Sequence, residues 1–257
     1  MSRIFITGSS EGLGLMAGQL LVEQGHQVVL HARNDSRAED ARRILPAAEA
    51  VVIGDVSTIA GTRLVAEEAN ELGHFNAVIH NVAIGYREPR RIVTEDDLPH
   101  LFAINVLAPY VITSLMKRSE RLVYLSSGMH HGVSANFGDL LWEKRPWDGS
   151  TAYAESKLYN AMMALAIARR WPDVLSNSLE PGWVPTKMGG PSAPDDMDQA
   201  HRTQVWLAVS NDPKACVSGK YFYHLDRRAP NPETQDEGLQ HQLLAECEKL
   251  SGIALPA

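Results

Sequence analysis

Thr7-Gly8-Ser9-Ser10-Glu11-Gly12-Leu13-Gly14 follows a short β-rich run, Arg3 to Thr7, and opens onto an amphipathic helical pattern, Leu13 to Gln24. A strand that turns through glycines into a helix lets the backbone approach a pyrophosphate closely and aims the first helical N–H groups at it. The glycines are spaced G-x-x-x-G-x-G and no Gly-Lys-Ser/Thr follows, so a Walker-type phosphate loop is disfavoured.

Further β-rich runs occur at Gln27 to His31, Ala50 to Ile53, Asn76 to Asn81, Arg121 to Ser126, Val174 to Leu179 and Lys220 to His224. Between them, apolar residues recur at helical spacing in Ser36 to Leu45, Ser57 to Leu72, Glu95 to Lys117 and Thr151 to Arg170. Such alternation is the pattern of βαβ units. It predicts one α/β domain over residues 1–257, a doubly wound, Rossmann-type parallel sheet of about seven strands flanked by helices. Residues 128–150 and 185–200 are rich in Gly and Pro and are expected to be irregular loops that form the substrate pocket.

The 24 Lys plus Arg against 31 Asp plus Glu leave a net charge of −7, and no basic run exceeds a pair. That is the wrong field for nucleic acid or an anionic membrane surface. The most apolar stretch, Leu101 to Met116, is broken by Asn105, Pro109, Thr113 and Ser114 and is too short to span a bilayer. Cys216 and Cys247 lie far apart, without His at zinc-ligand spacing, so no metal site is expected. The first apolar run, Ile4 to Ile6, is too short for a signal-peptide core, and the chain reads as cytoplasmic.

Two constellations carry chemistry. At the end of the second run, where an acidic residue would bind the ribose 2′-hydroxyl of NAD, stands His31-Ala32-Arg33-Asn34. The donor fork of Arg33 suits a 2′-phosphate, which favours NADP over NAD, although the Glu11 carboxylate would repel that phosphate unless turned to solvent. Farther along, Tyr153 and Lys157 stand four residues apart and share a helix face. An ammonium beside a phenol stabilises the phenolate and is expected to lower its pKa into a useful range for acid–base work. His130 and His131 read as structural or solvated; Trp142, Trp147 and Trp183 either wall an apolar pocket or pack beneath a loop.

The glycine turn, Asn105 within Phe102-Ala103-Ile104-Asn105-Val106, the pair Ser126-Ser127 and Tyr153-x-x-x-Lys157 occur in the order seen in short-chain dehydrogenases/reductases, which the sequence strongly resembles. The resemblance implies that Tyr153 is the general acid or base, that Lys157 assists it and binds the nicotinamide ribose, that Ser127 holds the substrate oxygen, and that Asn105 supports a proton relay. It implies a cofactor site formed by Gly8, Ser9, Ser10, Glu11, Gly12, Leu13 and Gly14, with Arg33, Asn34, Asp55 and Val56 toward the adenosine. Asn81, Val82, Ala83, Tyr153, Lys157, Pro181, Gly182, Val184 and Thr186 complete it toward the nicotinamide. The activity implied is NADP(H)-dependent interconversion of a carbonyl and an alcohol on a small organic substrate. A homodimer or homotetramer through the helices near Glu95 and Thr151 is implied as well.

Two departures stand out. Ala83 replaces the glycine of the family's Asn-Ala-Gly, and Tyr153 stands 26 positions after Ser127, about twice the usual interval. The longer interval resembles the retinol-dehydrogenase-like carbonyl reductases. Two rival readings are an idle NADP-binding sensor or interaction protein and a nucleotide-sugar epimerase-like enzyme. The first would need no Ser127, Tyr153 and Lys157 together, and the second carries a larger C-terminal substrate domain.

Overall fold

The apolar runs become strands in a computed structural model that describes all 257 residues. They are β1 (Arg3–Ile6), β2 (Gln27–Ala32), β3 (Ala50–Ile53), β4 (Ala77–His80), β5 (Arg121–Leu125), β6 (Leu175–Glu180) and β7 (Tyr221–Tyr223). An eighth, β8 (Asp226–Arg228), corrects the expected count of about seven. Its three charged, exposed residues give no apolar signal. It forms because His224 and Leu225 both take positive φ, 46° and 68°, the two-residue turn that folds a strand back antiparallel on its predecessor.

The sheet order β3-β2-β1-β4-β5-β6-β7-β8 is parallel up to its last pair. The order reverses between β1 and β4, and ligands of doubly wound sheets bind at the carboxyl ends of the strands beside such a switch. Successive strand residues face opposite layers: Phe5 joins one core and Ile4 and Ile6 the other. Helices α1 (Gly12–Glu23), α2 (Asp35–Ile44) and α8 (Arg202–Val209) cover the Ile4 side. The Phe5 side is covered by α3 (Ile59–Leu72), α5 (Ala108–Leu115), α6 (Gly149–Arg170) and α9 (Glu237–Ser251). Short α4 (His100–Phe102) and α7 (Met197–Ala200) complete the set, the latter closing the loop expected over 185–200.

The helix expected from Glu95 starts only at His100, because Asp97 takes φ +60° and Pro99 stands at the cap. Ala103–Leu107 then widens into a π-helical turn, in which the Ala108 N–H reaches Ala103 O. Pro109 explains the widening, since it offers no N–H to the Asn105 carbonyl four residues back.

Helix α9 and the tail beyond it pack on α6, with Leu243, Cys247, Ile253 and Leu255 in the same core. Tyr110 Oη donates to Ile253 O at 2.8 Å, and Arg170 Nε to Pro256 O at 3.0 Å. Residues Ala152–Ile167 of α6 are all buried within this one chain. The C-terminal segment thus packs on α6 within the same chain. No helix is long and apolar enough to cross a membrane, and no group of three His, Cys, Asp or Glu could hold a metal ion.

Candidate active site

The glycine turn leaves β1 with backbone that only glycine adopts freely. Gly8 and Gly12 have φ of +60° and +59°. A Cβ on Gly14 would lie 2.5 Å from Asn81 Nδ2 and 2.7 Å from Gly8 O, so α1 sits directly on the turn. Asn81 ties β4 to it, Nδ2 donating to Thr7 O at 3.0 Å and Gly8 O at 2.8 Å. Val82 packs against Gly8, and Ala83 keeps an ordinary negative-φ backbone without the family's glycine. Ser9 is wholly buried, its hydroxyl donating to Ile6 O at 2.7 Å and accepting from His31 N at 2.8 Å, so its side chain serves the turn and not a ligand. Ser10 and Leu13 stay partly exposed on the turn's outer side.

His31 cross-links this turn to the end of β3. Its Nδ1 accepts from Gly8 N at 2.9 Å, so its Nε2 carries the proton given to Gly54 O, also at 2.9 Å. Burial pushes its pKa down and keeps the ring neutral. Beyond it Arg33 is exposed, whereas the Asn34 side chain accepts from Arg37 N at 3.1 Å and caps α2. Asp55 Oδ1 takes Ser57 N at 2.9 Å, and Val56 is buried beneath. Glu11 does not turn free to solvent. It pairs with Lys187 and, at 3.2 Å, with Arg37, and the Lys187 hydrogen bond with these cations holds its carboxyl below the usual range. Arg37 and Lys187 are site residues that the sequence did not reveal; the only signal was Arg37 one helical turn beyond Arg33.

Asp148 starts α6 by accepting Thr151 N at 2.7 Å, which sets Tyr153 in the second turn. Tyr153 is 7% exposed and Lys157 2%, with Lys157 Nζ 5.5 Å from the Tyr153 ring centroid. Lys157 Nζ donates to Leu125 O at 3.0 Å, at the end of β5. The expected lowering of the Tyr153 pKa by Lys157 is not found. Burial pushes the phenol up to about 12, against the opposing pull of the Ser127 hydroxyl. Burial likewise pushes Lys157 down to about 7, so the pair has one proton held firmly by oxygen and one loosely by nitrogen.

The two serines separate cleanly. Ser126 Oγ is buried and donates to Lys157 O at 2.8 Å, while Ser127 Oγ accepts from Met129 N at 3.3 Å and its hydroxyl pulls the Tyr153 phenol down. Asn105 is fully buried in the π-turn. Its Oδ1 accepts from Ile84 N at 2.9 Å and its Nδ2 donates to Ile84 O and Ser156 Oγ at 3.0 Å each, so a proton relay would fall to its main chain. Tyr86 meets the Tyr153 ring edge-on, centroids 5.7 Å apart, and Trp142, Trp147 and Met188 gather in the same cluster. Trp142 is held underneath by the Arg145 guanidinium 3.5 Å above its ring, and Arg145 grips the buried Glu155 through two bonds of 2.7 and 2.6 Å. Nothing in the spacing of Tyr86 marks it as a member of this cluster.

After β6 come Pro181, Gly182 at φ +88°, buried Val184 and Thr186, whose Oγ1 accepts Gly189 N at 3.1 Å. Trp183 is 53% exposed, its indole N–H given to Gly189 O, so it flanks the cluster without closing it. The glycine turn, the Ser127–Tyr153–Lys157 group and the Pro181–Thr186 segment thus stand at the carboxyl ends of β1, β5 and β6, around the switch point.

The family model for short chain dehydrogenases matches residues 2–196. An oxidoreductase of Emericella nidulans is 42% identical over 260 residues, spanning 100% of this chain and 99% of its own length. Human retinol dehydrogenase 13 is 26% identical, over 99% of this chain and 86% of its own. A crystal structure of an uncharacterised protein from Mycobacterium paratuberculosis shares the fold with a TM-score of 0.86 at 22% identity, covering 100% of this chain and 96% of that one. With a family model over most of its length and a relative of this identity end to end, the chain belongs to the short-chain dehydrogenase/reductase family, as an oxidoreductase of that group.

Proposed function

We propose that this oxidoreductase uses NADP(H) to interconvert a carbonyl and an alcohol on a small organic molecule, with Tyr153 moving the proton. The observation that carries the reading is a buried phenol, held protonated, with Lys157 Nζ 5.5 Å from its ring, at the same sheet edge as a glycine turn that fits a dinucleotide. Gly14 leaves no room for a Cβ, and Gly12 faces open space within 4 Å at the start of α1, which suits a pyrophosphate against helical N–H groups. Arg33 and Arg37 supply cations for a 2′-phosphate, and Lys187 with Arg37 neutralises Glu11, the one carboxylate that would oppose it.

When bound, the nicotinamide supplies the hydride. Ser127 would hold the substrate oxygen and Tyr153 would deliver its proton there as the carbonyl carbon is reduced. Lys157, buried and near neutrality, would support the developing phenolate and hold the nicotinamide ribose. Pro181, Gly182, Val184 and Thr186 would line the nicotinamide side, and Tyr86, Trp147 and Met188 would exclude water.

The test is NADPH oxidation by the purified chain over a panel of aldehydes and ketones, beside Tyr153→Phe. Turnover by the wild type, cut at least a hundredfold in the variant with NADPH binding kept within about twofold, is the expected result. Binding without turnover across the panel would instead fit a sensor, and full activity in Tyr153→Phe would end the assigned mechanism.

A further inference from the structure

One carbonyl in the site, that of Ser127, is held by a residue to which the proposed mechanism assigns nothing. The carbonyl of Ser127 accepts from His130 N at 3.0 Å and lies 2.6 Å from His130 Nδ1. His130 is completely buried, and its Nε2 accepts from Asn231 N at 3.1 Å, so the ring proton is on Nδ1 and is donated to Ser127 O. Beyond it, the Glu180 carboxylate packs directly against Gly128. A Cβ on Gly128 would lie 2.5 Å from Glu180 Oε2, so only glycine allows this approach.

The grip is anchored far along the chain. Asn231 Nδ2 donates to His130 O at 2.9 Å and Val133 O at 2.8 Å, and Thr234 Oγ1 fixes Asn231 O at 2.7 Å. Gln240, in α9, donates to Thr234 O at 2.6 Å. Asn231, Thr234 and Gln240 are all buried. A segment that contributes no side chain to the Tyr153 cluster therefore ends in a hydrogen bond to the backbone of Ser127.

We infer that His130 is a positioning residue: tethered by Asn231, it fixes the Ser127–Gly128 peptide and thereby the direction of the Ser127 hydroxyl toward Tyr153 and the substrate oxygen. The inference rests on the oxidoreductase reading for its effect on rate, though not for the tether itself. A hydroxyl displaced by even 1 Å in an oriented site costs up to about a hundredfold.

The experiment pairs kinetics with amide exchange. NADPH oxidation is measured with 4-nitrobenzaldehyde as the carbonyl probe in wild type, His130→Ala, His130→Asn and His130→Gln, each also in a Ser127→Ala background. His130→Ala is expected to lower kcat roughly tenfold or more with the NADPH Kd unchanged. His130→Asn, whose amide N–H takes the Nδ1 position, is expected to recover most of that loss, and His130→Gln is not. In the Ser127→Ala background the His130 substitutions cost nothing further. Hydrogen–deuterium exchange of segment 127–133 speeds up in His130→Ala and returns toward wild type in His130→Asn. Unchanged kcat, an additive loss without Ser127, or unchanged exchange over 127–133 would each overturn the inference. If His130→Ala fails to fold, the Asn and Gln variants carry the same comparison. A wild type that turns over no carbonyl would sink the oxidoreductase reading, and the exchange result would still decide the tether.

Discussion

Lys157 Nζ stands 5.5 Å from the Tyr153 ring centroid and gives its hydrogen bond to Leu125 O, not to the phenol. Both groups are buried, which disfavours phenolate and ammonium alike and holds Tyr153 near 12 and Lys157 near 7. The protonated phenol is the form that delivers a proton to a carbonyl, and the ionised form is the one that accepts a proton from an alcohol. Carbonyl reduction is therefore expected to fall from pH 7 to 9, as Lys157 gives up the charge that supports the developing phenolate, while alcohol oxidation climbs across the same range. Initial rates in both directions check this. An oxidation rate that falls with rising pH would contradict it.

Arg33 is exposed just beyond β2 and is not among the residues packed around Tyr153, so its removal should touch cofactor choice and not chemistry. Arg33→Ala is expected to lose about 1–3 kcal/mol of the preference for NADPH over NADH, the worth of charge-assisted hydrogen bonds to a phosphate. Fluorescence titration with each nucleotide measures it. Equal binding of the two by the wild type would make Arg33 a surface cation.

The parts of this molecule that were legible in the sequence are those governed by short-range rules. Strand positions followed from apolar runs because strands buried on both faces admit little else. The glycine turn was legible because positive φ at Gly8 and Gly12 narrows the choice of residue. Ser127, Tyr153 and Lys157 were legible as a spaced pattern. The tether of Ser127 by His130 was not, because it depends on Asn231, more than 100 residues away, and adjacent histidines give no local sign of which ring nitrogen is bonded. The pKa directions of Tyr153 and Lys157 were hidden for a related reason. Spacing places the ammonium near the phenol, but only packing reveals how deeply both are buried. Helix α9 does carry Leu239, Leu243, Cys247 and Leu250 at helical spacing; what the sequence hides is that this stripe packs on α6.

The buried histidines set an acid limit. Burial pushes His80 down to about 3 and His130 to about 4, below an ordinary value near 6.5. A folded-state pKa depressed in this way gives stability that is complete above pH 6.5 and is lost as pH falls through the window toward 4 and below. His80 Nε2 lies 3.1 Å from Thr113 Oγ1, its Nδ1 has no partner, and the ring stacks on Tyr124. Protonating that ring would place an uncompensated charge in the core, at a cost of several kcal/mol. Thermal unfolding followed from pH 7.5 to 4.5 should show Tm falling below 6.5, with a shallower fall in His80→Asn. Identical slopes for the two would remove His80 from the explanation.

The cover on α5 and α6 makes the last prediction. Leu255 is 7% exposed and sits in the larger core, and Arg170 Nη2 donates to its carbonyl at 3.2 Å. The tail occupies apolar surface of these helices. Leu255→Asp would bury a carboxylate without a partner, at a cost of several kcal/mol, or expel the tail. Expulsion bares Tyr110 and Trp171, which bond Ile253 O and Pro256 O of the tail, a patch that soluble chains seldom leave open. The variant is expected to melt earlier and to sediment as larger species as concentration rises. Wild-type stability and sedimentation in Leu255→Asp would mean that the tail contributes little to the core.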